Sequence, residues 1–282
     1  MKSFENLRHH FVDNLLDQYH IREINNFFYI LLEDLFGWQK IDYHLNSKNI
    51  IDNKTDLFFL VVIGQLKNKV PIQYILKKTW FYGLEIELNN NVLIPRPETE
   101  QLVELIRSDN KNKYPKKIID IGTGSGCIIL ALKSIFANSK CFGIDNSILA
   151  IEVAKKNADK LSLNVDFLIK DIFSYFPDEK YDLIVSNPPY IPKFESSELD
   201  TNVLNYEPYS ALFVEDKNPL IYYQKIALFG SKYLNKNGKI YFEINEKYGN
   251  DVVSLLKDIG YENIILKKDF QEKNRFVYAT LI

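Results

Sequence analysis

The tetrapeptide Asn187-Pro188-Pro189-Tyr190 is the part of the sequence whose residue types most clearly indicate chemistry. It follows the largely apolar run 181–186, which is typical of a buried strand in a parallel sheet, and ligands of such sheets bind beyond the carboxyl ends of the strands. Two consecutive prolines fix the backbone and remove two N–H donors, so the carbonyls of Asn187 and Pro188 and the Asn187 side-chain oxygen remain available as acceptors. The pattern predicts a site for an NH2 group on a planar ligand; a plain strand-to-loop turn is the alternative.

A second candidate is the glycine-rich turn Gly122-Thr123-Gly124-Ser125-Gly126, which follows a short apolar run and precedes a helical pattern. Three alternating glycines allow a tight turn and let a ligand approach the main chain closely. Nicotinamide and flavin sites use a related turn in which the last glycine lies one position later. We interpret the turn as a cofactor-binding loop, with a structural strand-to-helix turn as the alternative.

Two acidic residues follow the next two predicted strands. Asp145 lies about twenty residues beyond the glycine turn, where a carboxylate can accept hydrogen bonds from both hydroxyls of a ribose. Its alternative role is to cap the following helix. Asp171 is placed to meet the amino group of an adenine, with Phe173 against the ring, although an exposed loop acid beside a core aromatic residue is an equally good interpretation.

These features together indicate an adenosine cofactor. The glycine turn, Asp145, Asp171 and the tetrapeptide occur in the order of successive strand ends, so we expect all of them at one rim of the sheet. The sequence contains no Walker-type lysine motif, which argues against a bound nucleoside triphosphate. S-adenosylmethionine is the cofactor that fits, and no metal site is expected because cysteine and histidine ligand clusters are missing.

The elements that must position these residues change character along the chain. Residues 1–76 carry apolar residues at helical spacing and are predicted to form a helical domain. Residues 77–97 alternate in polarity around a turn at 89–91 and are predicted to form a β-hairpin linker. In residues 98–282 short apolar runs alternate with helical stretches, which predicts an α/β domain with a mostly parallel sheet and a final antiparallel hairpin. The predicted strands are 118–121, 140–144, 165–168, 183–186, 239–244, 264–266 and 276–281.

Bulk composition excludes several classes of protein. The 282 residues are 46% hydrophobic, which is ample for a core, and 35 basic against 37 acidic residues give a formal net charge of −2. That near balance argues against a dedicated nucleic-acid-binding protein. The two cysteines provide no disulfide framework, and no apolar stretch is long enough to span a bilayer, so the expected location is the cytoplasm.

The motifs resemble those of class I methyltransferases that modify amides and amines, and more closely those of the bacterial release factor glutamine methyltransferase family. The resemblance extends over nearly the whole chain from residue 65 onward. Its most specific segments are Ile94-Pro95-Arg96-Pro97-Glu98-Thr99-Glu100, the turn 120–126 and the tetrapeptide 187–190. Residues 71–75 and 206–208 resemble further family segments.

The resemblance implies a class I methyltransferase, Rossmann-like fold. It implies methyl transfer from S-adenosylmethionine to the glutamine side chain in the Gly-Gly-Gln loop of class I peptide chain release factors. By this resemblance residues 122–126, Asp145, Phe173 and Asn187 contact the cofactor, and residues 187–190 hold the target glutamine. The helical domain is then a substrate-docking domain, and we expect a monomer with no stable nucleic-acid partner and no membrane partner.

Four positions depart from the family pattern. Lys69 and Lys77 stand where the family commonly has glycine, and Asn245 and Tyr248 replace a commoner glycine and glutamine. None of them belongs to the predicted reaction centre, so the departures bear on docking and on the entry to the hairpin.

The predicted catalytic residues are Asn187, Pro188 and Tyr190. A primary amide nitrogen is a weak nucleophile because its lone pair is delocalised into the carbonyl. If the Asn187 side-chain oxygen and the Pro188 carbonyl each accept one N–H of the target, they orient the nitrogen and stabilise the positive charge that it gains. Tyr190 is expected to pack on the flat amide.

Three other functions explain parts of the pattern. An N6-adenine or other nucleic-acid amino methyltransferase would bind the same NH2 donors, but it must also grip phosphates and unstack a base, and the chain has no basic stripe. A non-catalytic adaptor would not need the intact tetrapeptide. A nicotinamide oxidoreductase leaves the double proline unexplained.

Overall fold

The computed structural model describes residues 2–282, which divide into a first unit that ends at Leu76 and a second unit, Lys77–Ile282. The first unit is helical, and its helices start and stop at recognisable capping residues. The Asp52 carboxylate accepts the backbone N–H of Thr55 at 2.7 Å, and Gly37 ends a helix with a left-handed φ of 68°. The helices are α1 (Phe4–Leu15), α2 (Ile21–Phe36), α3 (Lys40–Asn46), α4 (Asn53–Lys67) and α5 (Ile72–Leu76).

The core of the first unit is aromatic. Phe11, Phe28 and Phe59, from α1, α2 and α4, are fully buried, with pairwise ring-centroid distances of 5.5–5.7 Å. Tilted and edge-to-face contacts of this kind stabilise more than the burial of the same apolar area alone. The apolar residues at helical spacing in residues 1–76 therefore form the buried core between these helices.

A two-stranded hairpin begins the second unit, formed by β1 (Lys78–Phe81) and β2 (Leu84–Glu87). Tyr82 and Gly83, with φ of 49° and 75°, make the two-residue turn. Positive φ at both central residues is the geometry that matches the twist of a hairpin. The chain does turn at 89–91, where the N–H of Val92 donates to the Asn89 carbonyl at 3.3 Å. This turn does not close the hairpin as predicted, because the Tyr-Gly pair closes it before the three asparagines are reached.

The central sheet has seven strands in the order β10-β11-β9-β6-β3-β4-β5. The five strands from β9 to β5 run parallel, and β11 pairs antiparallel with both β9 and β10, which confirms the predicted mostly parallel sheet with a terminal antiparallel hairpin. Two short strands, β7 and β8, form a separate parallel pair. The bounds are β3 (Lys117–Ile121), β4 (Lys140–Asp145), β5 (Asp166–Ile169), β6 (Tyr181–Ser186), β7 (Ile191–Pro192), β8 (Phe213–Val214), β9 (Leu234–Glu243), β10 (Glu262–Lys268) and β11 (Asn274–Leu281).

Helices connect the strands of the second unit. They are α6 (Pro97–Asp109), α7 (Cys127–Ile135), α8 (Ile148–Leu161), α9 (Thr201–Tyr206), α10 (Tyr209–Leu212), α11 (Ile221–Tyr233) and α12 (Gly249–Ile259). In α12, Val252 and Leu256 are fully buried against the sheet.

Parallel pairing brings the carboxyl ends of the central strands to one edge. Asp120 of β3 pairs with Gly143 of β4 on one side and with Val185 of β6 on the other. Ser186, the last residue of β6, pairs with Phe242 of β9. The residues that follow β3, β4, β6 and β9 therefore emerge together at this edge.

Candidate functional site

The glycine turn after β3 exposes its backbone to the edge of the sheet. Gly122 and Gly124 have φ of 74° and 54°, and a Cβ added at either would meet nothing within 4 Å. The N–H groups of Gly122 and Thr123 both donate to the Ile144 carbonyl at 2.9 Å, which ties the turn to β4. The turn therefore leaves open space beside its main chain, as a ligand-binding loop requires.

Gly126 has a different role in the same turn. Its φ is 81°, and a Cβ there would come within 3.2 Å of Ala154, Leu130 and Phe167. This glycine is required for close packing of the turn on α7 and α8, whereas Gly122 and Gly124 face open space.

Asp145 ends β4 beside the turn. Its Oδ2 accepts the N–H of Gly124 at 3.0 Å and its Oδ1 accepts the N–H of Ser147 at 2.9 Å. Burial raises the pKa of Asp145, and the backbone N–H groups of Ser147, Gly124 and Asn146 lower it in part. Ser147 itself caps α8 by accepting the N–H of Ala150 at 3.2 Å, so Asp145 is not the helix cap.

Asp120 lies at the end of β3 and is fully buried beneath the turn. Its Oδ2 accepts the Thr123 hydroxyl at 2.7 Å, which fixes the turn from below. Burial raises the pKa of Asp120 to about 7.

Asn187 follows β6 and is held from one side by α6. Its Nδ2 lies 3.5 Å from the hydroxyl oxygen of Thr99. Just before it, Ser186 donates to the Ile121 carbonyl at 2.6 Å and anchors the end of β6 to β3. Within residues 2–282, no hydrogen bond ends on the Asn187 side-chain oxygen or on the Pro188 carbonyl.

Glu243 is a buried acid that the sequence analysis did not select. It ends β9, and the residue is 2% exposed. Its Oε2 accepts the Thr99 hydroxyl at 2.7 Å. Burial raises the pKa of Glu243 to about 7. The signal that could have found it is the one that found Asp145, a carboxylate at the end of a predicted apolar strand.

A second buried acid, Glu207, holds the segment before α6. Its Oε1 accepts from the Arg96 guanidinium at 2.5 Å and its Oε2 accepts the N–H of Ile94 at 3.3 Å. The Glu207 side chain is 1% exposed, against 33% for Arg96. The pair joins the family-like segments 94–100 and 206–208.

Residues of the glycine turn, Asp145, Thr99 of α6 and the loop after β6 line one cleft of about 1090 Å³, a volume that includes open solvent. Predicted site residues that line it are Gly122, Thr123, Gly124, Ser125, Asp145, Asp171, Asn187, Pro188 and Pro189. Residues that line it and were not predicted as site residues include Arg96, Thr99, Asn146, Lys170 and Tyr222.

Three predicted site residues do not line the cleft. Gly126 packs beneath the turn. Phe173 is 39% exposed and makes an edge contact with Tyr222, a residue that does line the cleft, at 5.6 Å. Tyr190 packs against the core cluster of the sheet, and burial raises its pKa. Asp171 lies at the cleft and accepts the N–H of Phe173 at 2.9 Å, so the loop 171–173 folds back on itself.

Comparison with known proteins identifies the family. Residues 98–205 match the family model described as "Methyltransferase small domain". The chain is 42% identical over 277 residues to the release factor glutamine methyltransferase of Flavobacterium psychrophilum, with 97% of each chain covered. It is 36% identical over 268 residues to that of Bacteroides thetaiotaomicron, covering 94% of this chain and 96% of the relative. The chain belongs to the release factor glutamine methyltransferase family.

Solved structures agree with the fold of this family. A methyltransferase from Pyrococcus furiosus superposes with a TM-score of 0.53 at 17% identity and covers 82% of this chain and 100% of its own. A 16S rRNA methyltransferase of T. thermophilus in complex with AdoMet and guanosine gives a TM-score of 0.53 at 16% identity, covering 73% of this chain and 50% of its own. Both confirm the predicted class I methyltransferase fold, and membership of the family makes this chain an enzyme. No helix within residues 2–282 has the length and apolarity needed to cross a membrane.

Proposed function

We propose that the cleft transfers a methyl group from S-adenosylmethionine to the side-chain amide nitrogen of the Gly-Gly-Gln glutamine in class I peptide chain release factors. The observation that carries the proposal is that Asn187 and Pro188 line the same cleft as the glycine turn, while within residues 2–282 no hydrogen bond ends on the Asn187 side-chain oxygen or the Pro188 carbonyl. The family relationship supports a release factor as the substrate.

The residues at the edge of the sheet fit an adenosyl cofactor. The open space beside Gly122 and Gly124 admits a ligand against the main chain, and Asp145 at the cleft offers carboxylate oxygens to ribose hydroxyls. Asp171 and Ile172 line the cleft where an adenine would lie, with Phe173 acting through Tyr222 or after a side-chain rotation. Thr123 and Ser125 complete the loop, and Gly126 supports it.

The bound cofactor supplies a methyl group on a positively charged sulfur, which leaves as a neutral thioether. Asn187 and Pro188 each accept one N–H of the glutamine, so its nitrogen lone pair points at the methyl carbon. Both acceptors would also stabilise the positive charge that the nitrogen gains when it accepts the methyl group. The excess proton then leaves the nitrogen to solvent, so the step requires no base beforehand.

The remaining site residues act as supports. Pro189 lines the cleft and, with Pro188, keeps the backbone rigid. Tyr190 lies behind this corner, where it holds the bend against the core; packing on the target amide would require its ring to reorient. The helical unit docks the protein substrate, and the enzyme acts as a cytoplasmic monomer without a stable nucleic-acid partner.

The test is incubation of the purified enzyme with labelled S-adenosylmethionine and a purified release factor, followed by mass mapping of the labelled residue. We expect one methyl group on the loop glutamine and none on a release factor in which that glutamine is replaced by alanine. Label on another residue, or on DNA or RNA in place of the release factor, would overturn the proposal.

A further inference from the structure

A hydrogen-bonded chain runs from a buried acid to the proposed methyl-acceptor site. Glu243 accepts the Thr99 hydroxyl at 2.7 Å, and the Thr99 oxygen lies 3.5 Å from Asn187 Nδ2. Thr99 is 3% exposed and Glu243 is 2% exposed, so water does not compete for these contacts from the interior side. The three residues come from α6, β9 and the loop after β6, which are far apart in sequence.

The direction of this chain decides which end of the Asn187 amide faces the cleft. A hydroxyl has one proton, and in the structure Thr99 gives it to Glu243 Oε2, which can accept as an ionised oxygen or as the carbonyl oxygen of the protonated acid. Toward Asn187 the Thr99 oxygen can therefore only accept. The group that a hydroxyl oxygen can accept from is the NH2 end of the amide. The carbonyl end of Asn187 is therefore turned away from Thr99 and remains available as an acceptor.

We infer that Glu243 and Thr99 form a positioning pair that holds the Asn187 amide with its oxygen toward the methyl-accepting nitrogen. The inference rests on the proposed function and deepens it. If Asn187 turned over, it would present N–H groups to the target, and those groups suit a carboxylate oxygen. The pair therefore also selects glutamine, which donates, over glutamate, which accepts.

The surroundings of Glu243 make it suited to this role. Tyr223 donates to the Glu243 backbone carbonyl at 3.3 Å and fixes the end of β9. The Thr99 end is fixed because Thr99 lies in the first turn of α6, where its N–H donates to the Arg96 carbonyl at 3.0 Å. The other charged or titratable groups around Glu243 are Arg275, Glu98, Arg96, Tyr190 and Cys127.

The test compares three threonine variants in full-length enzyme. Thr99→Val removes the hydroxyl at constant shape, Thr99→Ser retains it, and Thr280→Val is the matched control. Thr280 lies in β11 and pairs with Lys239 of β9, whereas Glu243 is the last residue of β9. We expect Thr99→Val to lower kcat for release-factor methylation by about tenfold with little change in cofactor Kd or melting temperature. Thr99→Ser should restore most of the rate, and Thr280→Val should match the wild type.

A double-mutant comparison separates positioning from general support. In an Asn187→Ala background, Thr99→Val should cause no further loss, because the group that it positions is gone. Glu243→Leu, which fills a similar volume without an acceptor, should reproduce the Thr99→Val loss and add nothing to it. A binding assay can compare loop peptides that carry glutamine or glutamate at the target position. Thr99→Val should reduce the ratio of the two affinities that favours glutamine.

The outcomes distinguish this inference from the proposed function. A wild-type enzyme that fails to methylate the glutamine overturns the proposed function itself. A wild-type enzyme that methylates normally while Thr99→Val and Glu243→Leu keep full kcat overturns only the positioning role. Full additivity of Thr99→Val with Asn187→Ala also overturns it.

Discussion

The backbone N–H of Gly124 donates to Asp145 Oδ2 at 3.0 Å, so the glycine turn after β3 and the acid at the end of β4 form one unit. The second carboxylate oxygen is held by the N–H of Ser147. The carboxylate is thus fixed in place before any ligand binds, and the loss of side-chain freedom on binding is small. The same bond also holds the turn open, since it keeps the backbone of Gly124 against β4.

The first prediction concerns the affinity for the cofactor. Asp145→Ala removes the ribose acceptor and the partner of Gly124, so we expect the Kd for S-adenosylmethionine to rise by about 10- to 100-fold, the cost of a charged hydrogen bond. Titration calorimetry measures it directly. Asp166→Ala, at the opposite end of the neighbouring strand β5, is the control and should bind normally. Unchanged affinity in Asp145→Ala would remove this residue from the cofactor site.

The second prediction separates binding from chemistry. Asn187→Ala deletes one of the two acceptors for the target nitrogen, so we expect kcat to fall by about two to three orders of magnitude, as when one preorganised partner of a transition state is lost. Cofactor affinity should change much less. Single-turnover methylation of a release factor measures the rate, with the exposed Asn90→Ala as control. Near-normal turnover would contradict the role of Asn187.

The sequence was sufficient to predict which residues meet at the edge of the sheet, because each of them closely follows an apolar run that forms a strand. Residues 122–125, Asp145, Asp171 and residues 187–189 line one cleft for this reason. The positions of Phe173 and Tyr190 were not predictable, since the direction of an aromatic side chain in a loop depends on tertiary packing. The role of Tyr82 as a turn residue was hidden for a related reason. A left-handed tyrosine is rare, so the three asparagines gave the stronger signal.

Thr99 and Glu243 show a different limit. Thr99 lies in a segment whose proline and acids are explained by helix initiation alone, and Glu243 lies 144 residues further on in sequence. Their hydrogen bond depends on the packing of α6 on β9, which no local pattern reports. Buried pairs of this kind are visible only once the topology is known.

The third prediction concerns the buried carboxylate of Glu207. Arg96→Ala leaves this carboxylate with the N–H of Ile94 as its remaining partner. We therefore expect the second unit to lose about 2–3 kcal/mol of stability, which is less than for a fully buried ion pair because Arg96 is partly exposed. Arg107→Ala is the control, because the Arg107–Glu104 pair is about half exposed on both sides and such pairs contribute about 0–1 kcal/mol. Chemical denaturation followed by tyrosine and tryptophan fluorescence measures both. Equal losses in the two variants would contradict the assignment.

The fourth prediction contrasts two glycines. A Cβ at Gly143 of β4 would lie 2.6 Å from the Phe167 ring and 2.9 Å from Thr123 Oγ1, so Gly143→Ala must displace a buried ring and the cofactor turn. We expect a loss of about 1–3 kcal/mol and weaker cofactor binding. Gly64→Ala in α4 meets nothing within 4 Å and should instead stabilise by about 0.5–1 kcal/mol. Scanning calorimetry of the two variants gives the signs, and stabilisation by Gly143→Ala would show that the turn is less tightly packed than the structure indicates.

The last prediction is the pH dependence of stability in the absence of ligands. Burial raises the pKa of both Asp120 and Glu243 to about 7, above their ordinary values of 3.8 and 4.5. Between these limits the folded protein holds protons that the unfolded chain has released, so the free energy of unfolding falls as the pH rises from about 4.5 to 7. The carboxyls whose pKa is lowered by ion pairs, such as Glu85 and Glu104, change their contribution below this window and do not offset the loss.

Asp120→Asn tests the assignment of this pH dependence. The amide oxygen can still accept the Thr123 hydroxyl, while the titrating group is gone. We therefore expect the free energy of unfolding of this variant to decline less steeply between pH 4.5 and 7. At pH 7 the variant should have lost less than the wild type, by on the order of a few kcal/mol. Urea denaturation at half-unit pH steps measures the slope, with Asp166→Asn at an exposed position as control. A variant that keeps the wild-type slope would show that the carboxyl of Asp120 titrates as it does in the unfolded chain, and the decline would then belong to Glu243 and Asp145, whose pKa values burial also raises.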